Sequence, residues 1–287
     1  MRALSSKAAR LKIALEQAEG RHPAASPQSP PAIAACSLTI GPGEQVAVIG
    51  PSGAGKTTFL QLIAAALVPT HGRVLLNDVD PWKLSTRALQ VLRGRLFYAP
   101  QTPPLPPRQR VITALSAGRL PSMSLWQSIA QLVYPRGVAQ AADALAAFDL
   151  DEKLWERVDR LSGGERQRVG LARAIMSPAE LWLVDEPLSA LDPKRARQAI
   201  DTLCQRARAR NATLLTTLHQ VDVAISQFPR VIGFREGHLA FDLPAQQVSK
   251  ELLAELYAQH EHELLGAPPP ERDRPASPAP VNIVHCR

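Results

Sequence analysis

The chain has 287 residues, with 33 Lys and Arg against 26 Asp and Glu, a net charge of +7, and 45% of its residues are hydrophobic. That apolar share suffices for one or two packed cores and excludes a wholly disordered chain. The best apolar run, Leu62 to Val68, is about a third of the roughly 20 residues a membrane-spanning helix needs, so no integral membrane protein is expected. The N-terminus lacks the succession of basic start, apolar stretch and small-residue cleavage site, so no signal peptide is expected. Cys36, Cys204 and Cys286 are odd in number, far apart and in no CxxC spacing. They fit a reducing cytosol rather than a disulfide framework or a zinc site. Arginines such as Arg93, Arg95, Arg206, Arg208, Arg210, Arg272 and Arg274 are scattered rather than gathered on one recognition helix. The positive charge therefore reads as a solvated surface that sits comfortably beside an anionic membrane, not as a nucleic-acid interface.

Taken in chain order, a strand is expected over Leu11–Leu15, then an extended Pro/Ser-rich loop at residues 23–31 (PAASPQSPP) leading to a second strand. Val46–Ile49 reads as a buried strand, Lys56–Leu67 as a helix, and Val74–Leu76 and Leu96–Tyr98 as strands. From Thr102 to about Arg160 strand signals fade. Pro-rich residues 103–107 lead into that stretch, and Ala and Leu recur at helical spacing from Ala139 to Phe148. A helical subdomain inserted into an α/β core is expected there. A helical run Val169–Met176 follows, then a strand Leu181–Val184, a helix Pro193–Ala209, a strand Thr213–Thr217, a helix Val221–Phe228 and a strand Val231–Phe234. Strand-then-helix alternation predicts an α/β domain with a largely parallel sheet. The stretch after Gly266 is too Pro-rich and polar to pack.

Chemistry concentrates at a few points. Directly after the strand Val46–Ile49 comes Gly50-Pro51-Ser52-Gly53-Ala54-Gly55-Lys56-Thr57, with Thr58 next. This is G-x4-G-K-[ST] between a strand and a helix, the setting in which successive backbone N–H groups and a helix N-terminus surround phosphate. Lys56 can reach β- and γ-phosphates, and the Thr57 hydroxyl is a hard oxygen ligand suited to Mg²⁺. The buried strand Leu181–Val184 ends in Asp185 and Glu186. Asp185 would hold Mg²⁺ through water, and Glu186 would polarise the water that attacks the γ-phosphate. Ser162, Gly163 and Gly164 open a helix and make a second anion-binding site. One nucleotide does not need two such helix ends from one chain, unless two chains clamp it face to face. Gln101, at the edge of the helical insertion, can touch both Mg²⁺ and the moving subdomain. His219, after a strand, can hydrogen-bond the γ-phosphate.

Together, GPSGAGKT, Gln101, LSGGERQR, LWLVDEP, Ser189–Asp192 (SALD) and His219 resemble the full motif set of an ABC-transporter ATP-binding subunit, over roughly residues 9 to 260. Two stretches, Ala117–Leu120 with Ser124–Ser128 and Leu218–Asp222 running on to Val231–Gly237, are similar to the phosphonate-importer ATP-binding subfamily. The resemblance implies a P-loop NTPase cassette: a RecA-like parallel sheet core, an antiparallel β subdomain and an inserted α-helical subdomain. It implies that residues 50–58 bind the phosphates of ATP and that Thr57, Gln101 and Asp185 organise Mg²⁺. Glu186 is then the catalytic carboxylate, His219 the switch histidine, and Ser162, Gly163 and Gly164 reach the ATP of a partner cassette across a seam that includes Asp192. The expected organisation is a loose N-terminus over residues 1–8, core over 9–101 and 161–243, helical subdomain over 102–160, a C-terminal helix over 244–265 and an unstructured tail over 266–287.

The expected partners are a second ATP-binding subunit, integral membrane permease subunits and, indirectly, a solute-binding protein. The chain would then act on the cytoplasmic face of the inner membrane, with no nucleic acid involved. One departure stands out. The family carries an aromatic residue about 25 positions before the phosphate loop, to stack on adenine. Here that region lacks Phe, Tyr and Trp, and His22 is the nearest stacking candidate. Import of another solute or oxyanion, and a soluble ABC ATPase working on DNA or ribosomes, remain as alternatives. Against the soluble ATPase, the insertion shows no sustained heptads.

Overall fold

A strand buried on both faces favours apolar or β-branched residues at consecutive positions, and three short segments follow that pattern. In the computed structural model, which describes residues 10–22, 26, 28–124, 126–129, 137–258 and 260, β3 (Gln45–Ile49), β6 (Leu181–Val184) and β7 (Thr213–Thr217) are buried at every position. They form the middle of a sheet whose order is β5 (Leu96–Ala99), β6, β7, β3, β8 (Arg230–Arg235), β9 (His238–Pro244). The first five strands run parallel, and β9 closes the edge antiparallel to β8.

Alternation along these strands divides the interior in two. Val46, Val48, Leu181, Leu183, Leu215 and Ile232 face α1 (Lys56–Ile63) and a second, antiparallel sheet. That sheet has the order β2 (Ile33–Ile40), β1 (Ile13–Gly20), β4 (His71–Leu76). Ala47, Ile49, Trp182, Val184, Leu214 and Val231 face the opposite way. They join residues of α4 (Val138–Ala146), α5 (Gly163–Met176), α6 (Pro193–Arg210) and α7 (Val221–Gln227). Between β5 and β6, the described residues hold helical turns and no strand, beginning with α3 (Val111–Ser116) and a 3₁₀ turn at Ala117–Ser122.

Several elements differ from the sequence-based expectation. β1 starts at Ile13 rather than Leu11 and continues to Gly20. Its pairing shifts after Leu15, Gln17 takes φ 48°, and Ala18 still faces the core. β2 and β9 carry too few consecutive apolar residues to declare themselves. α1 ends at Ile63, not Leu67. Ala65 turns to φ 50°, and Arg93, from α2 (Thr86–Arg93), donates to its carbonyl at 2.7 Å. A contact distant in sequence thus stops a run of good helix formers. α5 begins six residues before its apolar run, at Gly163, because Ser162 and Glu165 form a reciprocal capping box that offsets two glycines. Among the described residues, the helix expected over 244–265 occupies Lys250–Leu256 (α8), since β9 runs to Pro244 and a 3₁₀ turn covers Ala245–Gln247, while residues 259 and 261–265 lie outside the described residues. Residues 1–9, 23–25, 27, 125, 130–136, 259 and 261–287 lie outside the described residues, and with them all of the expected N-terminus and tail and parts of the expected loop and helical insertion.

Trp182 is the largest wholly buried side chain. Its Nε1 donates to Ala179 O at 3.0 Å, and the Arg210 guanidinium lies 5.9 Å from its ring. Trp182→Ala is expected to cost about 3–5 kcal/mol, read as a lower midpoint in urea unfolding.

Candidate functional site

The chain must turn sharply where β3 gives way to α1. A Cβ on Gly50 (φ 150°) would sit 2.1 Å from Phe234 O, and one on Gly55 (φ 95°) 2.1 Å from Ala32 O, so both positions need glycine. Within the turn, Ala54 N–H donates to Pro51 O. The buried Lys56 ammonium donates to Gly50 O at 2.7 Å and Pro51 O at 3.1 Å. α1 begins without a side-chain cap and without an acidic residue in its first turn. Its leading N–H groups and dipole therefore favour an anion. A Cβ on Gly53 would meet nothing within 4 Å, so the loop's crest is open. Thr57 is exposed at the helix start, whereas Thr58 is buried with its methyl near Gly20. Thr58 can therefore face a ligand only through its backbone.

The parallel register brings the carboxylates to this loop. β5, β6 and β7 pair with Ala99 opposite Val184 opposite Thr216. One step beyond, Asp185 and Thr217 emerge side by side, and Gln101 lies level with Glu186. Thr217 Oγ1 donates to Asp185 Oδ1 at 2.6 Å and accepts the Glu186 N–H at 2.8 Å. A single hydroxyl thus fixes both acids, which helps hold Glu186 at φ 45°, an uncommon conformation for a residue with a side chain. Gln167 of α5 donates to Glu186 O at 3.4 Å, and Gln101 Nε2 donates to Glu186 Oε2 at 2.6 Å. His219 Nε2 lies 2.6 Å from Glu186 Oε1. Because an ionised carboxylate only accepts, that pairing requires the His219 proton on Nε2.

These surroundings pull the two acids apart. Burial pushes the Asp185 carboxyl above its ordinary range, and neighbouring Glu186 adds to the rise, against the opposing pull of the Thr217 and Thr57 hydroxyls and Lys56. Burial alone would raise Glu186 as well. The hydrogen bond and charge of His219, the charge of Lys56 and the hydrogen bond from Gln101 outweigh it and hold Glu186 below the usual carboxylate range. Tyr98, whose hydroxyl lies 3.5 Å from Asp185 Oδ2, is pushed up to about 12 by burial and by the Asp185 charge.

Gln101, Asp185, Glu186 and His219 therefore come together beside Lys56 and Thr57. Ser162, Gly163 and Gly164 stand elsewhere on the chain. The Ser162 hydroxyl accepts the Glu165 N–H at 3.2 Å, Glu165 accepts the Ser162 N–H at 2.7 Å, and the glycines adjoin Ala190 and Leu191. A hydroxyl that accepts one bond still has a proton to donate. Asp192 caps α6 by accepting the Arg195 N–H at 3.0 Å. His22 is exposed, two residues past Gly20, which abuts Thr58 and Leu62 of α1. Sequence reasoning missed Thr217, Gln167 and Tyr98. The only signal for Thr217 is its place on a buried strand two residues before His219.

Triphosphate and Mg²⁺ fit these residues: an uncapped helix start, a buried ammonium on carbonyls, and hard oxygens at Thr57 and Asp185. Among the described residues no three His, Cys, Asp or Glu cluster as an all-protein metal site would require. Mg²⁺ characteristically shares its ligation with substrate phosphate instead.

Residues 33–189 match a family pattern described as ABC transporter. The chain is 60% identical over 278 residues to a protein of Albidiferax ferrireducens called phosphonates import ATP-binding protein PhnC 2, covering 96% of this chain and 100% of that one. It is 52% identical over 256 residues to a PhnC 2 of Pseudomonas aeruginosa, covering 89% and 94%. Among solved structures it is similar to the ATP-binding cassette MJ0796 bound to ADP and Pi in a dimeric post-hydrolysis state. There the TM-score is 0.69 at 24% identity, covering 82% of this chain and all of that one. A cbiO1 from Clostridium perfringens gives 0.68 at 21%, covering 89% and 95%. At these identities the structural likeness concerns the fold.

Thr217→Val removes a hydrogen bond to a charged group worth about 1.5–3 kcal/mol and orphans the Glu186 N–H. Nucleotide hydrolysis should fall about tenfold or more in kcat, with nucleotide affinity nearly kept and Thr217→Ser restoring the rate. Affinity and rate lost together, with no rescue by Ser, would show a structural role instead.

Proposed function

The chain belongs to the ABC transporter family of ATP-binding proteins, and from that membership we propose that it is the ATP-hydrolysing subunit energising a phosphonate importer. One observation carries the ATPase reading: Gln101 and His219 converge on Glu186, one residue from the buried Asp185 and beside the Lys56 loop. The cargo assignment rests on the 60% identity to the Albidiferax ferrireducens protein, over nearly both full lengths.

In this reading residues 50–58 hold the phosphates, and Lys56 exchanges its two carbonyl partners for β- and γ-phosphate oxygens. Thr57, Gln101 and Asp185 would hold Mg²⁺, which would supply neutralisation of the charge that develops on the phosphates. Glu186 orients the attacking water and takes its proton. A base held below the carboxylate range is a weak one, yet the two groups that hydrogen-bond it, His219 and Gln101, each have a second role. With nucleotide and metal bound, His219 would turn to the γ-phosphate and Gln101 to the metal, and Glu186 would lose two donors and gain basicity. Ser162, Gly163 and Gly164 complete the pocket of a second copy, with Asp192 at the seam, so the γ-phosphate bridges two chains until hydrolysis removes it. Residues 102–160 relay that closure to separate permease subunits, and a solute-binding protein delivers cargo to them. No described helix is long and apolar enough to cross a membrane. That fits a subunit bound peripherally on the cytoplasmic face.

Glu186→Gln should bind ATP, release almost no phosphate and accumulate as a dimer in gel filtration with Mg-ATP. Turnover near the wild-type rate would remove Glu186 as the base. Lys56→Ala should lose nucleotide binding by calorimetry. Stacking on an imidazole should discriminate bases poorly, so GTP hydrolysis should approach that of ATP; a strong adenine preference surviving His22→Ala would sink that idea. For the cargo, cells lacking the chain should fail to grow on a phosphonate as sole phosphorus source yet grow on phosphate. Unimpaired growth on phosphonates would overturn the assignment.

A further inference from the structure

One partner of the phosphate loop comes from near the far end of the described chain. Gly50, the loop's first residue, donates its N–H to the Tyr257 hydroxyl at 3.2 Å, across 207 positions of sequence. Tyr257 ends the segment that contains α8 and is 0% exposed, packed in the same core cluster as Leu253, Leu256 and Ile49. The segment is fixed to β8 on its other side, where Arg235 Nη1 donates to Glu255 O at 2.7 Å. Gly50 is therefore held from three directions. The Phe234 carbonyl crowds its α-carbon, the Lys56 ammonium holds its carbonyl, and Tyr257 satisfies its N–H.

Resting on the reading of residues 50–58 as an ATP site, we infer that Tyr257 is a positioning residue for the phosphate loop, through which the C-terminal segment sets nucleotide affinity. The Lys56 bond to Gly50 O is given up when the ammonium moves to phosphate, whereas the Tyr257 bond need not change. Tyr257 is thus a fixed anchor for Gly50, whose bond to the Lys56 ammonium is released during the cycle. Without the hydroxyl, the buried Gly50 N–H has to find another acceptor. The loop can provide one only by turning its first peptide, which misaims the N–H groups that follow.

Tyr257→Phe keeps the ring and its packing and deletes the hydroxyl that accepts the Gly50 N–H. The expected result is a KM for ATP raised about 3–10-fold, the range of one lost net hydrogen bond, with kcat within about twofold of wild type. Amide exchange in the peptide covering residues 46–58 should quicken, while β6 and β7 stay protected. An unchanged KM with unchanged exchange in that peptide would overturn the inference. So would faster exchange throughout the core, which marks a general packing role. A wild-type chain that bound no Mg-ATP would instead remove the nucleotide reading, and the exchange comparison would still decide whether Tyr257 braces the loop.

Discussion

The Thr217 hydroxyl, shared between Asp185 and the Glu186 N–H, is the interaction on which the site depends. It exists because parallel strands have evenly spaced pairing, so a strand end on one ladder is level with the next. The register that sets Val184 beside Thr216 necessarily sets Asp185 beside Thr217, and the same ladder sets Gln101 level with Glu186. Four residues from three strand ends are thereby delivered to one edge without any loop having to reach. Alternation then decides the face. Asp185 follows Leu183 and Thr217 follows Leu215, both on the side of the sheet that packs against α1. That is the side on which Lys56 lies.

Three helix starts in this chain show three ways of treating unpaired N–H groups. α6 is closed by its own aspartate, Asp192, with Pro193 at the first turn. α5 is closed by Ser162 and Glu165, whose carboxyl the Ser162 backbone N–H holds below its usual range, and the amides of Gly163 and Gly164 lie outside that reciprocal pair. α1 has neither cap nor acid. The order of openness, α1 then α5 then α6, matches what the proposed phosphate site at α1 and the proposed cross-chain site at α5 would require.

The described part of the helical segment over residues 102–160 is tied to the rest by bonds of unequal strength. Arg168 of α5 is buried and donates to Phe148 O at 2.6 Å. The other ties, Gln198 to Asp149 and Arg206 to Asp143, are exposed. Exposed polar pairs contribute about 0–1 kcal/mol each. The buried tie is the one to α5, and α5 is also the helix that Ser162 caps and that reaches Glu186 through Gln167. The helical segment and the proposed catalytic carboxylate are thus tied to one element.

The chemistry of the phosphate loop was legible in the sequence because it is local. Glycine spacing, a strand before and a helix after are enough to aim backbone N–H groups at an anion. The Asp185–Glu186 pair was legible for a similar reason, as two charges at the end of an apolar run. Strands β6 and β7 were also found at their observed bounds, β6 from an unbroken apolar run and β7 from β-branched threonines around two leucines. The rest needed the folded chain. β2 and β9 bury one face or an edge and leave only a diluted pattern. α1 stops short because Arg93 claims the Ala65 carbonyl. Thr217, Gln167 and Tyr257 carry no local mark, because each acts through a partner 19 to 207 positions away. Sequence determined which groups could bind phosphate and accept a proton. Strand register and the docking of the C-terminal segment decided which other groups hold them in place, since hydrogen bonds between residues remote in sequence follow from packing alone.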